Sequence, residues 1–304
     1  MNKPLPQAIV ETLCYFQIFS YPVTISELYK YLHYHKRISY PRLLAVISKN
    51  PALFEVEGQY VVLRGDLKFI KKRNAQAAGN KKKMAKAILI SNILAFIPFI
   101  KLIGVSGGVS MQNAKKHDDI DLFFITKKNT VWITRLLVQV ILLLLQEKRK
   151  RGSRFEQDKI CPNMFLSEDV LKMPKKNRTI YTAHEVAQLK VLLSKNQMYQ
   201  KFLFENRWTL KFLPHAFKEQ KKYSSVTLFS WMLRPIDRVF FFMQYTYMKK
   251  RVTSEYITPS VIMFHPVPYA KMVQELFEIK IKAQKNQMKK RKIEEKRALE
   301  YAIN

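Results

Sequence analysis

Cysteine is nearly absent: Cys14 and Cys161 are the only two in 304 residues. They lie far apart and without partners at metal-ligand spacing, which argues against a disulfide framework or a zinc site and makes a reducing cytoplasm the expected compartment. Long apolar runs are missing too. The greasiest stretch, Ile133 to Leu145, is interrupted by Arg135 and Gln139. It falls short of the roughly 20 residues a spanning helix needs, so it is expected to be a buried helix with no transmembrane segment in the chain. The opening residues carry Glu11 and no apolar core ahead of a small-residue cleavage site, so no signal peptide is expected. Acidic residues are scarce, 23 Asp and Glu against 54 Lys and Arg, leaving a net charge of +31. That balance favours polyanionic partners such as nucleic acid, phosphorylated ligands or an acidic membrane surface, while a Lys-rich host composition would produce it equally well.

What is present is the composition of folded protein, 48% hydrophobic and 12% aromatic, in a chain long enough for two or three compact units. Apolar spacing predicts helices over Ala8–Phe19, Ser26–Leu32 (with Thr24 or Ser26 as cap) and Tyr40–Ser48. Residues 54–63 then alternate at period two around Gly58, the pattern of a β-hairpin. Three helices followed by a hairpin is the order of a winged helix, expected over 1–72. In such a domain Arg37, Arg42 and Lys49 would lie in or beside a recognition helix, although these domains serve equally as protein-contact modules. Residues 71–86 hold seven basic side chains and no acid, reading as a solvated linker or the polar start of a helix. A basic linker and helix are therefore placed over 73–98. Strands are expected over Phe99–Val105, Asp121–Thr126 and Lys159–Ser167, with a long helix over Val131–Gln146 before the last of them. Pro162 marks that last strand as an edge or bulged one. Beyond Thr179 the periodicity reads as helical over Ile180–Leu193, Gln197–Phe212, Thr227–Lys250 and Ala270–Ala298, with a break over Pro259–Pro268.

Glycine is scarce as well, seven in the chain, yet three of the seven fall at 104, 107 and 108. Glycine after a strand permits a tight turn and lets backbone N–H groups approach a polyphosphate without a Cβ in the way. Asp119 and Asp121 follow, two apart at the start of a strand. Their carboxylates therefore share one face while Ile120 and Leu122 point into the core. Two carboxylates beside a phosphate cradle suit Mg²⁺, which shares phosphate oxygens with its substrate. An ordinary turn, with the acids paired to Lys115 and Lys116, is the plainer alternative.

A hydrophobic residue, Gly107-Gly108, about ten residues, then Asp119-Ile120-Asp121-Leu122 resembles the signature of the DNA polymerase beta-like nucleotidyltransferase superfamily. The chain is also similar to uncharacterised bacterial proteins in which a winged-helix-like domain precedes a nucleotidyltransferase domain. That similarity rests on Tyr15-Phe16, Phe19–Pro22, the 104–126 motif, Cys161–Ser167, Ala183-His184-Glu185 and Phe264-His265-Pro266. The resemblance implies an α+β fold: a winged-helix-like domain over 1–72, a catalytic α/β domain with a small mixed sheet over 99–195, and a helical C-terminal region over 196–304. It implies transfer of a nucleoside monophosphate from a nucleoside triphosphate such as ATP to a hydroxyl acceptor. One or two Mg²⁺ ions would be held by Asp119 and Asp121, and the nucleotide by Ser106, Gly107, Gly108 and Ser110.

Two features depart from the pattern. Many members carry Ser where this chain has Gly108, and the third carboxylate, expected on the strand after the long helix, is not evident. That strand offers Asn163, while Asp158, Glu168 and Asp169 lie at strand ends. A nucleic-acid-binding or regulatory protein with a degenerate, nucleotide-sensing transferase domain is the alternative. His184-Glu185 lacks the second His of a zinc-protease helix and reads as packing. His117 reads as a solvated loop residue and the basic last helix as a solvated face.

Overall fold

The computed structural model describes residues 3–149, 157–221, 230–250, 255–263 and 268–303, the last with side chains described through Lys289. The architecture is mixed α and β and divides into two compact units. One comprises residues 1–71, 212–215 and 270–304; the other comprises 72–211 and 216–269.

The first unit opens with α1 (Leu5–Ile18), whose Leu5, Ile9, Leu13 and Phe16 are all buried, the stripe that helical spacing produces. β1 (Val23–Thr24) leads directly into α2 (Ile25–Lys30), where Thr24 and Glu27 form a reciprocal capping box. That arrangement satisfies two otherwise orphaned N–H groups and sets the helix start. α3 (Tyr40–Ser48) buries Leu43 and Ile47. β2 (Phe54–Glu57) and β3 (Tyr60–Leu63) form the hairpin about Gly58, which has φ +60°, and β1 adds to β3 as a third strand. A two-residue strand carries too little pattern to be read in advance.

α4 (Lys68–Leu94) is a single 27-residue helix. The basic stretch is thus the polar start of a helix, the second of its two expected readings, and Asn80, Lys83, Ala87, Ile90 and Leu94 recur on one buried face. β4 (Ile100–Val105), the single turn α5 (Gly107–Ser110) and β5 (Ile120–Thr126) come next. α6 (Val131–Leu144) then crosses to β6 (Ile160–Ser167), which lies parallel to β5. α7 (Ile180–Gln188) stops short of the helix expected to run to Leu193, and β7 (Lys190–Ser194) pairs antiparallel with β4. Val191-Leu192-Leu193 suits either period, and the open edge of β4 decides it.

α8 (Met198–Glu205) and, after a turn at Ser230–Leu233, α9 (Arg234–Lys249) follow. The start of the helix expected from Thr227 lies outside the described residues, as does Phe264-His265-Pro266. β8 (Tyr256–Ile257) and β9 (Val261–Met263) form a hairpin within the expected break, and α10 (Pro268–Ile303) ends the chain. The region over 196–304 is mostly helical, as expected, but its β8–β9 hairpin joins the central sheet and its last helix groups with the first unit.

The resulting six-stranded mixed sheet has the order β7-β4-β5-β6-β9-β8. Beneath it Ile103, Leu122, Phe124, Trp132, Ile160 and Phe165 are buried together, with Phe124 and Phe165 stacked at 4.7 Å. β6 is interior over Met164–Leu166, where β9 pairs with it. Pro162 lies before that pairing and beside the register shift at Asn163. Its missing N–H therefore costs no ladder bond to β9. Among the described residues no helix is long and apolar enough to cross a membrane.

Candidate functional site

The site forms where β4 turns back over the start of β5. Ser106 N–H donates to Asp121 O at 3.1 Å, so the glycine turn is laid against the aspartate strand. Gly107 has φ +62°, and a Cβ there would stand 3.0 Å from Asp121 Oδ2. Both facts require glycine: one for the backbone, one to keep the carboxylate's approach clear. Gly108 serves packing, since a Cβ there would meet Ala114 Cα at 3.1 Å. Ser110 is buried and its hydroxyl donates to Gly107 O at 2.8 Å, so its proton closes the turn. Ser106 is half-buried at the N-cap position of α5 and makes no side-chain cap bond.

Asp119 and Asp121 flank Ile120, which is fully buried, and the two carboxylates share one face. The third member is Cys161. Parallel pairing of β5 and β6 sets it opposite Asp121, and one ligand atom from each of Asp119, Asp121 and Cys161 lies within 4.8 Å of the others. Asn163, the residue this strand offered for the third place, is the extra residue of the β6 bulge. The nearby acids are committed elsewhere: Asp158 to Lys83, Glu168 to the Lys128 N–H, Asp169 to Ser167 and Lys128.

Electrostatics mark the cluster. Burial, reinforced by the Asp119 charge, pushes the Asp121 carboxyl up to about 7. Burial and both carboxylates push the Cys161 thiol strongly upward. Arg149 Nη1 stands 3.0 Å from Asp119 Oδ2 and 3.7 Å from Cys161 Sγ. Among the described residues Asp119 Oδ2 is buried with no hydrogen-bond partner, although it is ion-paired to Arg149. Two neighbouring carboxylates, one with a buried oxygen that has no hydrogen-bond partner among the described residues, are an oxygen donor pair suited to a divalent cation.

α4 holds the loop that presents Asp119. Asn80 Nδ2 donates to Ala114 O at 3.1 Å while Ala114 N–H donates to Asn80 Oδ1 at 3.0 Å. Lys83, 3% exposed, donates to Asp118 O at 2.6 Å, Lys116 O at 3.2 Å and Asp158 Oδ1 at 2.5 Å. Neither residue stood out in the sequence; the signal was the phase of Asn80, Lys83 and Ala87 on a helix. Glu185 on α7 lies within electrostatic reach of Asp121 and is itself pushed up to about 7, chiefly by burial. His184 is fully buried with Nδ1 2.8 Å from Gln188 Nε2, a packing role. His117 is not a member of the cluster. No family model, curated protein or solved structure matches the chain.

Proposed function

We propose that the protein is a divalent-metal-dependent nucleotidyltransferase of the DNA polymerase beta-like kind. The observation that carries the reading is the joining of the glycine turn to the carboxylate pair, with Gly107 lacking the Cβ that would crowd Asp121 Oδ2. The two carboxylates fit a hard metal: Asp119 and Asp121 would hold Mg²⁺, while Cys161 puts a neutral thiol where a carboxylate was expected and would add no oxygen ligand. A bound cation there would neutralise charge growing on the phosphate oxygens during transfer. The chain's own contribution is placement. The turn at Gly107 and Gly108 offers backbone N–H groups and, at Ser106, an uncommitted hydroxyl toward the triphosphate. Lys83 and Asn80 fix the loop that carries Asp119, and fixed geometry is what in-line attack by an acceptor hydroxyl requires.

We read the first unit as winged-helix-like from its three helices and hairpin. Arg42 is exposed on α3 and Lys49 at its C-cap, whereas Arg37 directs its Nε to Pro214 O at 2.8 Å. One observation favours a second reading. A thiol replaces the third carboxylate and Arg149 neighbours the acids, as a nucleotide-sensing domain of a nucleic-acid-binding protein would allow.

Thermal unfolding with each nucleoside triphosphate, with and without Mg²⁺, tests the first reading. Ligand at about 100 times its dissociation constant adds roughly 2.7 kcal/mol, and Asp119→Asn and Asp121→Asn should abolish that shift. Equal shifts in parent and variants would remove the site assignment. Nucleotide binding without transfer, together with DNA or RNA binding that falls steeply with salt, would favour the second reading.

A further inference from the structure

α9 is apolar on both sides. Its inner side is pinned: Asp237, 5% exposed, accepts the Trp132 and Ile133 N–H groups at 2.8 and 2.9 Å, capping the first turn of α6. Gln244 donates to Trp132 O at 2.8 Å and accepts from Arg135 Nη1 at 2.5 Å, while Phe241 meets the Trp132 ring edge at 5.0 Å. These contacts fix the rotation of the helix about its axis. It cannot turn to bury what lies outside.

Outside lie Trp231 (70% exposed), Met232 (57%), Ile236 (47%), Val239 (57%), Phe242 (61%) and Met243 (63%). Ile236, Val239 and Met243 follow the i, i+3, i+7 spacing of a single stripe on α9, and Met232 lies on the turn just before it. The end of α6 adds Leu143 (61%) and Leu144 (77%), and Lys148 just beyond it lies within electrostatic reach of Tyr247 on α9. Apolar faces of this kind, left uncovered, mark interaction surfaces.

The charges around the stripe have one sign. Arg234, Arg238, Lys249 and Lys250 are exposed, and Asp237, the single acid between Ser230 and Lys250, is buried against α6. The complement is a surface that is apolar within and anionic at its rim. A protruding stripe of large side chains, with Trp231, Tyr245 and Tyr247 among basic residues, suits insertion at a bilayer interface. There aromatic rings sit at headgroup depth and Arg and Lys reach back to phosphate.

We propose that the outer face of α9, with the end of α6, docks onto an anionic lipid bilayer. The proposal is independent of the transferase reading. It does not use the basic α10.

The test uses the full chain with vesicles of phosphatidylcholine alone and of phosphatidylcholine with phosphatidylglycerol, read by co-sedimentation and tryptophan emission. Trp132 and Trp208 are buried, so a blue shift on vesicle addition reports Trp231 and should vanish in Trp231→Phe. Sedimentation with the anionic vesicles and a blue shift are expected. The double variant Phe242→Ser, Met243→Ser, exposed at both positions, should keep the parent's melting temperature, lose the blue shift and bind about tenfold or more weakly. Three outcomes would overturn the proposal. One is no sedimentation at low salt. Another is sedimentation without a blue shift and indifferent to the double variant, which would be adhesion by net charge. The last is a solution dimer or an acidic protein complex, seen by light scattering, that the double variant dissociates while vesicles are ignored.

Discussion

Replacing Lys83 with methionine should loosen the loop that presents Asp119 without touching the carboxylates themselves. Methionine matches the side chain's reach but removes an ammonium group that satisfies Asp118 O, Lys116 O and Asp158 Oδ1 at 2.6, 3.2 and 2.5 Å. Breaking a buried ion pair by deleting one partner costs about 3–5 kcal/mol. The Asp158 side chain is 20% exposed, against 3% for Lys83, so water recovers part of the loss, and about 2–3 kcal/mol is expected. Asp158→Asn should cost less, about 1–2 kcal/mol, because both backbone carbonyls still accept from the lysine. All three tryptophans, 132, 208 and 231, belong to the second unit. Urea unfolding followed by their fluorescence therefore reads out this unit. A double-mutant cycle should show a coupling of about 1 kcal/mol or more. Hydrogen exchange at the Asp119–Asp121 amides should quicken in the lysine variant. A loss below about 0.5 kcal/mol, or strict additivity, would refute the claim that Lys83 organises this loop.

Gly107→Ala should lose about 1–2 kcal/mol from its left-handed backbone and also weaken Mn²⁺ binding, measured by calorimetric titration, because its Cβ crowds Asp121 Oδ2. Parent-like Mn²⁺ affinity would contradict the crowding argument. In the first unit, burial, with Lys3 adding to it, lowers His33 from its ordinary 6.5 to about 3. The unfolded chain thus takes up the proton first as pH falls. The stability this neutral histidine contributes is complete above 6.5 and is lost toward 3, with a slope approaching about 1.4 kcal/mol per pH unit. His33→Gln should flatten that slope in urea titrations followed by circular dichroism. Glu185 has the opposite sign. Its carboxyl is raised from 4.5 to about 7, so its contribution is complete below 4.5 and is lost as pH rises through 7. Glu185→Gln should therefore stabilise the protein at pH 8, on the order of 1–3 kcal/mol, and leave it little changed at pH 4.5.

Local pattern sufficed wherever burial on one face repeats over several turns or strand residues. α1, α3, the β2–β3 hairpin, β4, β5, α6 and β6 carry that repetition and were legible, as was the alternation that puts Asp119 and Asp121 on one face around buried Ile120. The glycines at 107 and 108 were legible as a turn, but their different duties were not. One holds a positive φ beside a carboxylate and the other packs on Ala114. β7 and the β8–β9 hairpin were missed because short apolar segments fit a helix or a strand equally, and only the free edges of β4 and β6 select the extended form. Cys161 was missed as a neighbour of the carboxylates because they are remote from it in sequence; only parallel pairing across a crossover brings it opposite Asp121. Lys83 differs from Lys81 and Lys82 solely in helical phase, and what that phase faces is set by where α4 lies against the sheet. By itself the sequence determined local periods and the carboxylate pair, since side-chain direction follows from backbone geometry within a few residues. Tertiary structure alone decided which thiol and guanidinium flank that pair and which ammonium group holds the loop before it, since those neighbours come together through sheet register and helix packing between segments apart in the chain.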